Sequence, residues 1–247
     1  MSGESAGGGP AIIVMAKAPR HGTVKTRLSR AYPEAEIVAL ASCFLADTVS
    51  TAKQAGPRVI VAYSPEDGRA VIEPLIEPIL GNGVLWICQQ GADLGARMHA
   101  AFVQGFARGY APLVMVGTDS PTLPLASYQA ALETLQSGEA DVVLGPAEDG
   151  GFTLIGVSAL SSVLFEGVLW SSPTVFQQTK ENSERAGLRV RETEPWYDID
   201  TPEDLKRLRK DLLTGPGGEA RAPATCRWLS KTWHQDLALR PGDKMPL

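Results

Sequence analysis

Short runs of β-branched and other apolar residues alternate along this chain with longer stretches in which apolar positions recur three and four apart. The runs at 11–16, 58–63, 84–88, 113–117, 141–145 and 152–157 read as strands, and the stretches 34–55, 66–79, 94–108 and 125–136 as helices with one face on a sheet. Such alternation builds a largely parallel sheet covered by helices. After position 141 the rhythm changes. Two strand-like runs are separated only by residues 146–151, too few for a crossover helix, so an antiparallel excursion in a mixed sheet is expected. A further helix is expected to start at Ser172 with Pro173 in its first turn. Another, over 201–213, has Thr201 as N-cap, Pro202 at the first helical position, and Glu203 and Asp204 in the first turn.

The ends of the chain read differently. Residues 1–10 are Gly-, Ser- and Ala-rich and read as a disordered leader, since no basic start and apolar core mark a secretory signal. From Thr214 to Thr225, Gly, Pro and Ala dominate, a linker-like composition. The segment 226–247 carries Trp228 and Trp233 and has no readable role beyond docking on the domain. The division expected is a leader at 1–10, one α/β domain at 11–213, and a linker with a tail at 214–247.

With 247 residues, 44% of them hydrophobic, the chain can bury a full core. Twenty-eight acidic against 23 basic residues give a net charge of -5, which argues against nucleic-acid or anionic-membrane partners. The longest apolar runs, at 12–16 and 113–116, are far short of the ~20 residues a membrane span needs. Cys43, Cys88 and Cys226 match no zinc or redox spacing, which suits a reduced, cytoplasmic protein without disulfides. His21, His99 and His234 are too scattered for a histidine metal centre.

In open α/β sheets ligands bind at the carboxyl ends of strands, and four loops there are unusual. The segment K-A-P-R-H-G-T-V-K-T-R-L places Lys17, Arg20, Lys25 and Arg27 after the first strand of an acidic protein, a cluster suited to a polyphosphate. In G-T-D-S-P-T-L-P, Asp119 stands at the tip of a very apolar strand, where a carboxylate can hold a hard divalent cation beside phosphate oxygens; the same tripeptide can also cap a turn. In G-P-A-E-D-G-G-F, Glu148 and Asp149 precede Gly150 and Gly151, which let backbone approach a ligand or simply turn the chain. In W-Y-D-I-D-T-P, Asp198 and Asp200 alternate along extended backbone and so point the same way, one of them as a second metal ligand. Trp196 with Tyr197 can wall an acceptor pocket or belong to the core.

Taken in order, these segments, with Q-Q-G-A-D-L-G-A-R-M at 89–98, resemble a GT-A-like family of unknown function labelled glycosyltransferase or radical-SAM/selenodomain-associated transferase. The chain also resembles 2-phospho-lactate guanylyltransferase and, more distantly, the molybdopterin and sugar-acid nucleotidyltransferases. The resemblance spans about 11–213 and implies a GT-A-like three-layer α/β sandwich, with a mostly parallel mixed sheet and helices on both faces. It makes Lys25 the lysine on donor phosphates, Asp119 the metal aspartate, Asp200 the second metal ligand, and Asp93 and Arg97 nucleotide contacts. Asp149, Gly150, Trp196 and Asp198 are left to the acceptor.

The activity expected is a Mg²⁺ (or Mn²⁺) dependent transfer in which Lys25 and Asp119 carry the chemistry and a nucleoside triphosphate gives its nucleotidyl group to a small phosphorylated or sugar acceptor. The glycine-rich start of the nucleotidyltransferase loop is here Ala16, Lys17, Ala18 and Pro19. Glycosyl transfer from a nucleotide sugar therefore stands beside nucleotidyl transfer, with a catalytically silent nucleotide-binding protein as a third reading.

Overall fold

The most apolar run lies at the middle of the sheet. In the computed structural model, which describes residues 8–236 apart from 57 and 216, with side chains as far as 232, β1 (Gly9–Lys17) buries Ala11, Ile12, Ile13 and Val14 completely. Burial on both faces is why its run is continuous and not alternating. β2 (Arg58–Ser64), β3 (Leu85–Cys88) and β4 (Tyr110–Gly117) run parallel to it, and β5 (Val142–Pro146), β6 (Phe152–Val157) and β7 (Val190–Glu192) complete a seven-stranded sheet of order β3-β2-β1-β4-β6-β5-β7. β6 is antiparallel to both β4 and β5, as the short 146–151 connection requires, and β7 is parallel to β5. Three residues are too few to show an alternation, so β7 left no mark in the sequence pattern.

Helices cover both faces. Ile12 and Val14 of β1 pack with α1 (Glu34–Gln54), α2 (Arg69–Leu80) and α4 (Leu125–Gln136) through Leu45, Val49, Ile72, Ile76, Tyr128 and Ala131. Ile13, on the other face, packs with Met98 and Phe102 of α3 (Leu94–Ala107), and Phe176 of α5 (Val175–Arg185) joins that layer. The three-layer sandwich expected is therefore present. By length and hydropathy alone α1 could cross a bilayer. Here its two apolar faces are used twice, against the sheet through Leu45 and Val49 and against α6 (Pro202–Thr214) through Ile37, Leu40 and Phe44. α6 starts as expected, with a capping box in which Thr201 and Asp204 each accept from the other's backbone.

Three boundaries differ from the sequence reading. β1 begins at Gly9, inside the supposed leader, whose first seven residues lie outside the described ones. α5 starts at Val175, not Ser172: the Ser172 hydroxyl donates to Leu169 O at 2.7 Å, and the N-cap is Thr174. The largest correction concerns the presumed linker and tail. Residues 218–221 form α7 (Gly218–Arg221) and 223–236 form α8 (Pro223–Asp236). Ala222, Cys226 and Leu229 are buried against α1 and α6.

The tail docks on a charge. Asp47 of α1 is 2% exposed, and its two carboxylate oxygens accept the N–H groups of Ala224 and Thr225, each at 2.8 Å. A carboxylate at the start of α8 satisfies backbone donors that have no intrahelical partner and meets the positive end of the helix dipole. Burial pushes the Asp47 pKa up, and the hydrogen bonds pull against it. The side chains of Trp233 and His234 fall outside the described residues.

Candidate active site

β1 and β4 are neighbours, yet the chain leaves them toward opposite halves of the sheet, and this switch point opens a crevice at their carboxyl ends. The cleft there is about 770 Å³. Lys17 ends β1, Ser64 ends β2, Gln89 follows β3 and Asp119 follows β4, all on its lining. Because β6 runs backwards, its first residues, Phe152 and Thr153, come to the same edge.

At the centre is a four-residue charge cluster of Lys25, Arg27, Asp119 and Asp200. Lys25 has left-handed backbone (φ 46, ψ 41), unusual for a residue with a Cβ and worth about 1 kcal/mol or more of strain. The turn aims its side chain inward, where it is 5% exposed and its ammonium lies 5.7 Å from the Phe44 ring centroid. The ammonium pairs with the Asp119 carboxylate and with Asp200 Oδ1 at 3.1 Å. Arg27, largely exposed, reaches Asp200 Oδ2 at 3.4 Å. The two aspartates, 81 positions apart in sequence (200 − 119), thus face one cationic point.

Backbone pairing fixes this convergence. Ile199 N donates to Asp119 O at 2.9 Å, tying the loop after β4 to the 196–200 segment. Along that segment Tyr197 and Ile199 are buried while Asp198 and Asp200 are half-buried and line the cleft, the alternation that extended backbone imposes. Burial first, then the neighbouring Asp149 and Asp200 charges, push the Asp198 pKa up to about 6. Among the described residues no group of three or more His, Cys, Asp and Glu is arranged to hold a metal; the oxygen donors on offer are Asp119 and Asp200.

The structure sorts the other expected site residues. Lys17, Lys25, Arg27, Arg97, Asp119, Asp149, Asp198 and Asp200 line one cleft. Four do not. Arg20 is bound to Asp67 at 2.9 and 3.0 Å, outside the cleft lining. Asp93 is the N-cap of α3, its carboxylate accepting Ala96 N at 2.8 Å. Gly150 takes its positive φ of 89 to lie against Pro173, whose carbonyl oxygen would be 2.0 Å from an added Cβ. Trp196 packs in the core, stacks on Tyr197 and donates to Thr122 Oγ1 at 3.2 Å.

Gln89 and Trp170 line the cleft without having been given a role from the sequence. Gln89 donates from Nε2 to Ala62 O at 2.7 Å and Ala16 O at 3.4 Å, joining the ends of β1 and β2 at the cleft floor. Its place directly after β3 was the available signal. Trp170 forms part of the wall and had none, because its partner Gly95 is 75 positions away (170 − 95).

Residues 47–172 match the family described as "Uncharacterized protein conserved in bacteria (DUF2064)". The chain belongs to this family. Among solved structures it is similar to a protein of Desulfovibrio desulfuricans G20 provisionally named a nucleotide-diphospho-sugar transferase, with 31% identity, a TM-score of 0.80 and coverage of 91% of this chain and 95% of that one. The fold is shared with CMP:2-keto-3-deoxy-manno-octonic acid synthetase complexed with CTP, at 11% identity, TM-score 0.54 and coverage of 84% and 99%. It is shared equally with 4-diphosphocytidyl-2C-methyl-D-erythritol synthase of Anaerococcus prevotii DSM 20548, at 11% identity, TM-score 0.54 and coverage of 82% and 96%. No curated protein matches the sequence.

Gly95 supplies a local test of the cleft wall. An ideal Cβ there would lie 2.3 Å from Trp170 Cζ2, so the indole must move to admit it. Gly→Ala inside a helix ordinarily stabilises by about 0.5–1 kcal/mol. Gly95→Ala is expected to destabilise by about 1–3 kcal/mol, the range for overpacking, and to change Trp170 fluorescence. Thermal denaturation showing a gain in stability would mean that the indole does not pack there.

Proposed function

We propose that this protein is a nucleotide-dependent transferase that moves a nucleotidyl group from a nucleoside triphosphate to a small acceptor. The observation that carries the reading is the convergence of Asp119 and Asp200 on one cationic point at the switch-point crevice. The donor set fits a hard divalent cation, Mg²⁺ or Mn²⁺: two carboxylates from adjoining loops already share one cation, the Lys25 ammonium, and among the described residues no histidine or cysteine lines the cleft. When bound, such a metal would offset charge on the donor phosphates. Sites of this kind keep several waters and depend on substrate phosphates for affinity.

The chain's own residues do the rest by position and charge. Lys17, Lys25, Arg27 and Arg97 line the β1–β3 side of the cleft. Four cations suit the charge of a triphosphate better than that of a sugar diphosphate, which favours nucleotidyl transfer. Lys25 holds the carboxylate pair, and its flexible stem lets the ammonium turn to phosphate oxygens once those carboxylates are engaged. Gln89 and the Asp119–Ile199 backbone bond keep the strand ends in register, so little reorganisation is needed when charge develops.

A second reading is glycosyl transfer, favoured by the provisional name of the Desulfovibrio relative. A thermal-stability screen of nucleoside triphosphates and nucleotide sugars with Mg²⁺ finds the donor, since a ligand at ~100 times its Kd adds ~2.7 kcal/mol. Product identity then decides. Pyrophosphate release, with Lys25→Ala lowering kcat by roughly 100-fold and raising KM far less, is the expected result. Release of a nucleoside diphosphate with sugar on the acceptor would replace it by the second reading, and binding without turnover by a nucleotide sensor.

A further inference from the structure

The two halves of the sheet put opposite charge on the two walls of the cleft. The wall built from the end of β1, the loop after it and the first turn of α3 carries Lys17, Lys25, Arg27 and Arg97. The wall built from the loop after β4, the β5–β6 connection and the segment between β7 and α6 carries Asp119, Asp149, Asp198 and Asp200, and among the described residues that line it there is no lysine, arginine or histidine. Asp119 and Asp200 are paired with two cations of the facing wall, Lys25 and Arg27. Asp149 and Asp198 line the cleft and, among the described residues, form no ion pair, so their charge is left to the cleft.

Resting on the transferase reading, we infer that the acceptor is an uncharged polyhydroxyl compound, a sugar or polyol, held by its hydroxyls at Asp149 and Asp198 against the Trp170 indole. An ionised carboxylate accepts hydrogen bonds and donates none. It therefore matches hydroxyl donors and repels the oxygens of a phosphate ester or a carboxylate, a repulsive element that sets specificity. Both groups are placed before any ligand arrives. Asp149 Oδ1 accepts Gly151 N at 2.8 Å, and Asp198 is set by the extended backbone between buried Tyr197 and Ile199.

The apolar part of the wall fits the same class. Trp170 is half-buried, its indole seated on Gly95, where any Cβ would collide, and Phe165 supports it at 6.3 Å between ring centroids. Ser171, in left-handed backbone at φ 65, turns the chain so that Trp170 and Ser172 both line the cleft. A rigid aromatic face lining the same cleft as the carboxylates suits the apolar C–H face and the hydroxyl rim of a sugar ring.

In the transfer, an acceptor hydroxyl oxygen forms a bond to the α-phosphorus and the bond from that phosphorus to the bridging oxygen breaks. Pyrophosphate leaves with the electron pair, and the hydroxyl proton passes to solvent.

The test pairs each probe with its ester: glucose with glucose 1-phosphate and glycerol with glycerol 3-phosphate, on the full chain with Mg²⁺, with and without nucleoside triphosphate. Binding is followed by saturation-transfer NMR and turnover by pyrophosphate release. The expected result is that each free compound binds at least about tenfold tighter than its ester, an effect of like charge. Trp170→Ala should weaken the free compound about tenfold, and Asp149→Asn with Asp198→Asn should shrink the gap to the ester. Esters bound equally or better would overturn the inference, as would glucosamine bound more than tenfold tighter than glucose, which would mark a cation site. The parent reading fails separately: free sugar binding without pyrophosphate release removes the transfer and keeps the acceptor class, whereas pyrophosphate release with esters alone does the reverse.

Discussion

A chain ending at Leu213 is expected to be insoluble or to melt at least ~10 °C lower than the full chain. Truncation strips Ala222, Cys226 and Leu229 from the cluster they share with α1 and α6, and a fully buried leucine alone is worth about 1.5–3 kcal/mol. It also takes away the two N–H groups that bind the Asp47 carboxylate and anchor the start of α8, hydrogen bonds to a charged group worth about 1.5–3 kcal/mol each. With the newly exposed faces of α1 and α6, the loss reaches roughly 5 kcal/mol, against total stabilities of about 5–15 kcal/mol. At this size each kcal/mol shifts Tm by ~2–4 °C. Differential scanning calorimetry of both chains measures it, and a truncated chain melting within ~3 °C of the full one would show that the tail contributes nothing.

The second large effect belongs to the carboxylate pair. Asp119→Asn and Asp200→Asn are each expected to weaken Mg²⁺-dependent nucleotide binding on the order of 100-fold, since each removes one of two hard ligands for the cation. The fold should survive either change. Both carboxylates stand at strand-end loops, with side chains 58% and 36% exposed, and the remaining aspartate still holds the buried Lys25 ammonium. The double variant is different: it leaves Lys25, 5% exposed, without a carboxylate partner, so its Tm should fall where the single variants' does not. Calorimetric titration of Mg²⁺-nucleotide into each variant gives the affinities. Undiminished binding in one single variant would remove that residue from the metal site.

The elements of the sandwich were legible because each rests on a local period. β1 is apolar without interruption since it is covered twice. The 146–151 connection is too short for anything but an antiparallel step, and Thr201 with Pro202 and Asp204 carries a complete helix start. Part of the site was legible for the same reason. Residues at strand ends meet at one edge of the sheet whatever the packing, and Asp198 and Asp200 share a face by the geometry of extended chain.

What the tertiary structure alone decided is which polar groups already have a partner. Arg20 resembles Lys17 in sequence, but Asp67 stands beside one and not the other. Asp93 is spent on its own helix and Gly150 on Pro173. The tail reads as a linker because Gly and Pro lower its local propensity, yet Cys226 and Leu229 on one face of α8, with Ala222 just before it, find a groove between α1 and α6, and a buried aspartate 177 residues before Ala224 caps it. No local period encodes a partner that distant. The amino-acid sequence by itself determined six of the seven strands, their order of appearance and the strand-end loops, because those follow from short-range sterics and burial periodicity; β7, three residues long, is placed by its pairing with β5. The charge on each wall of the cleft was settled by long-range packing, which brings together side chains far apart along the chain.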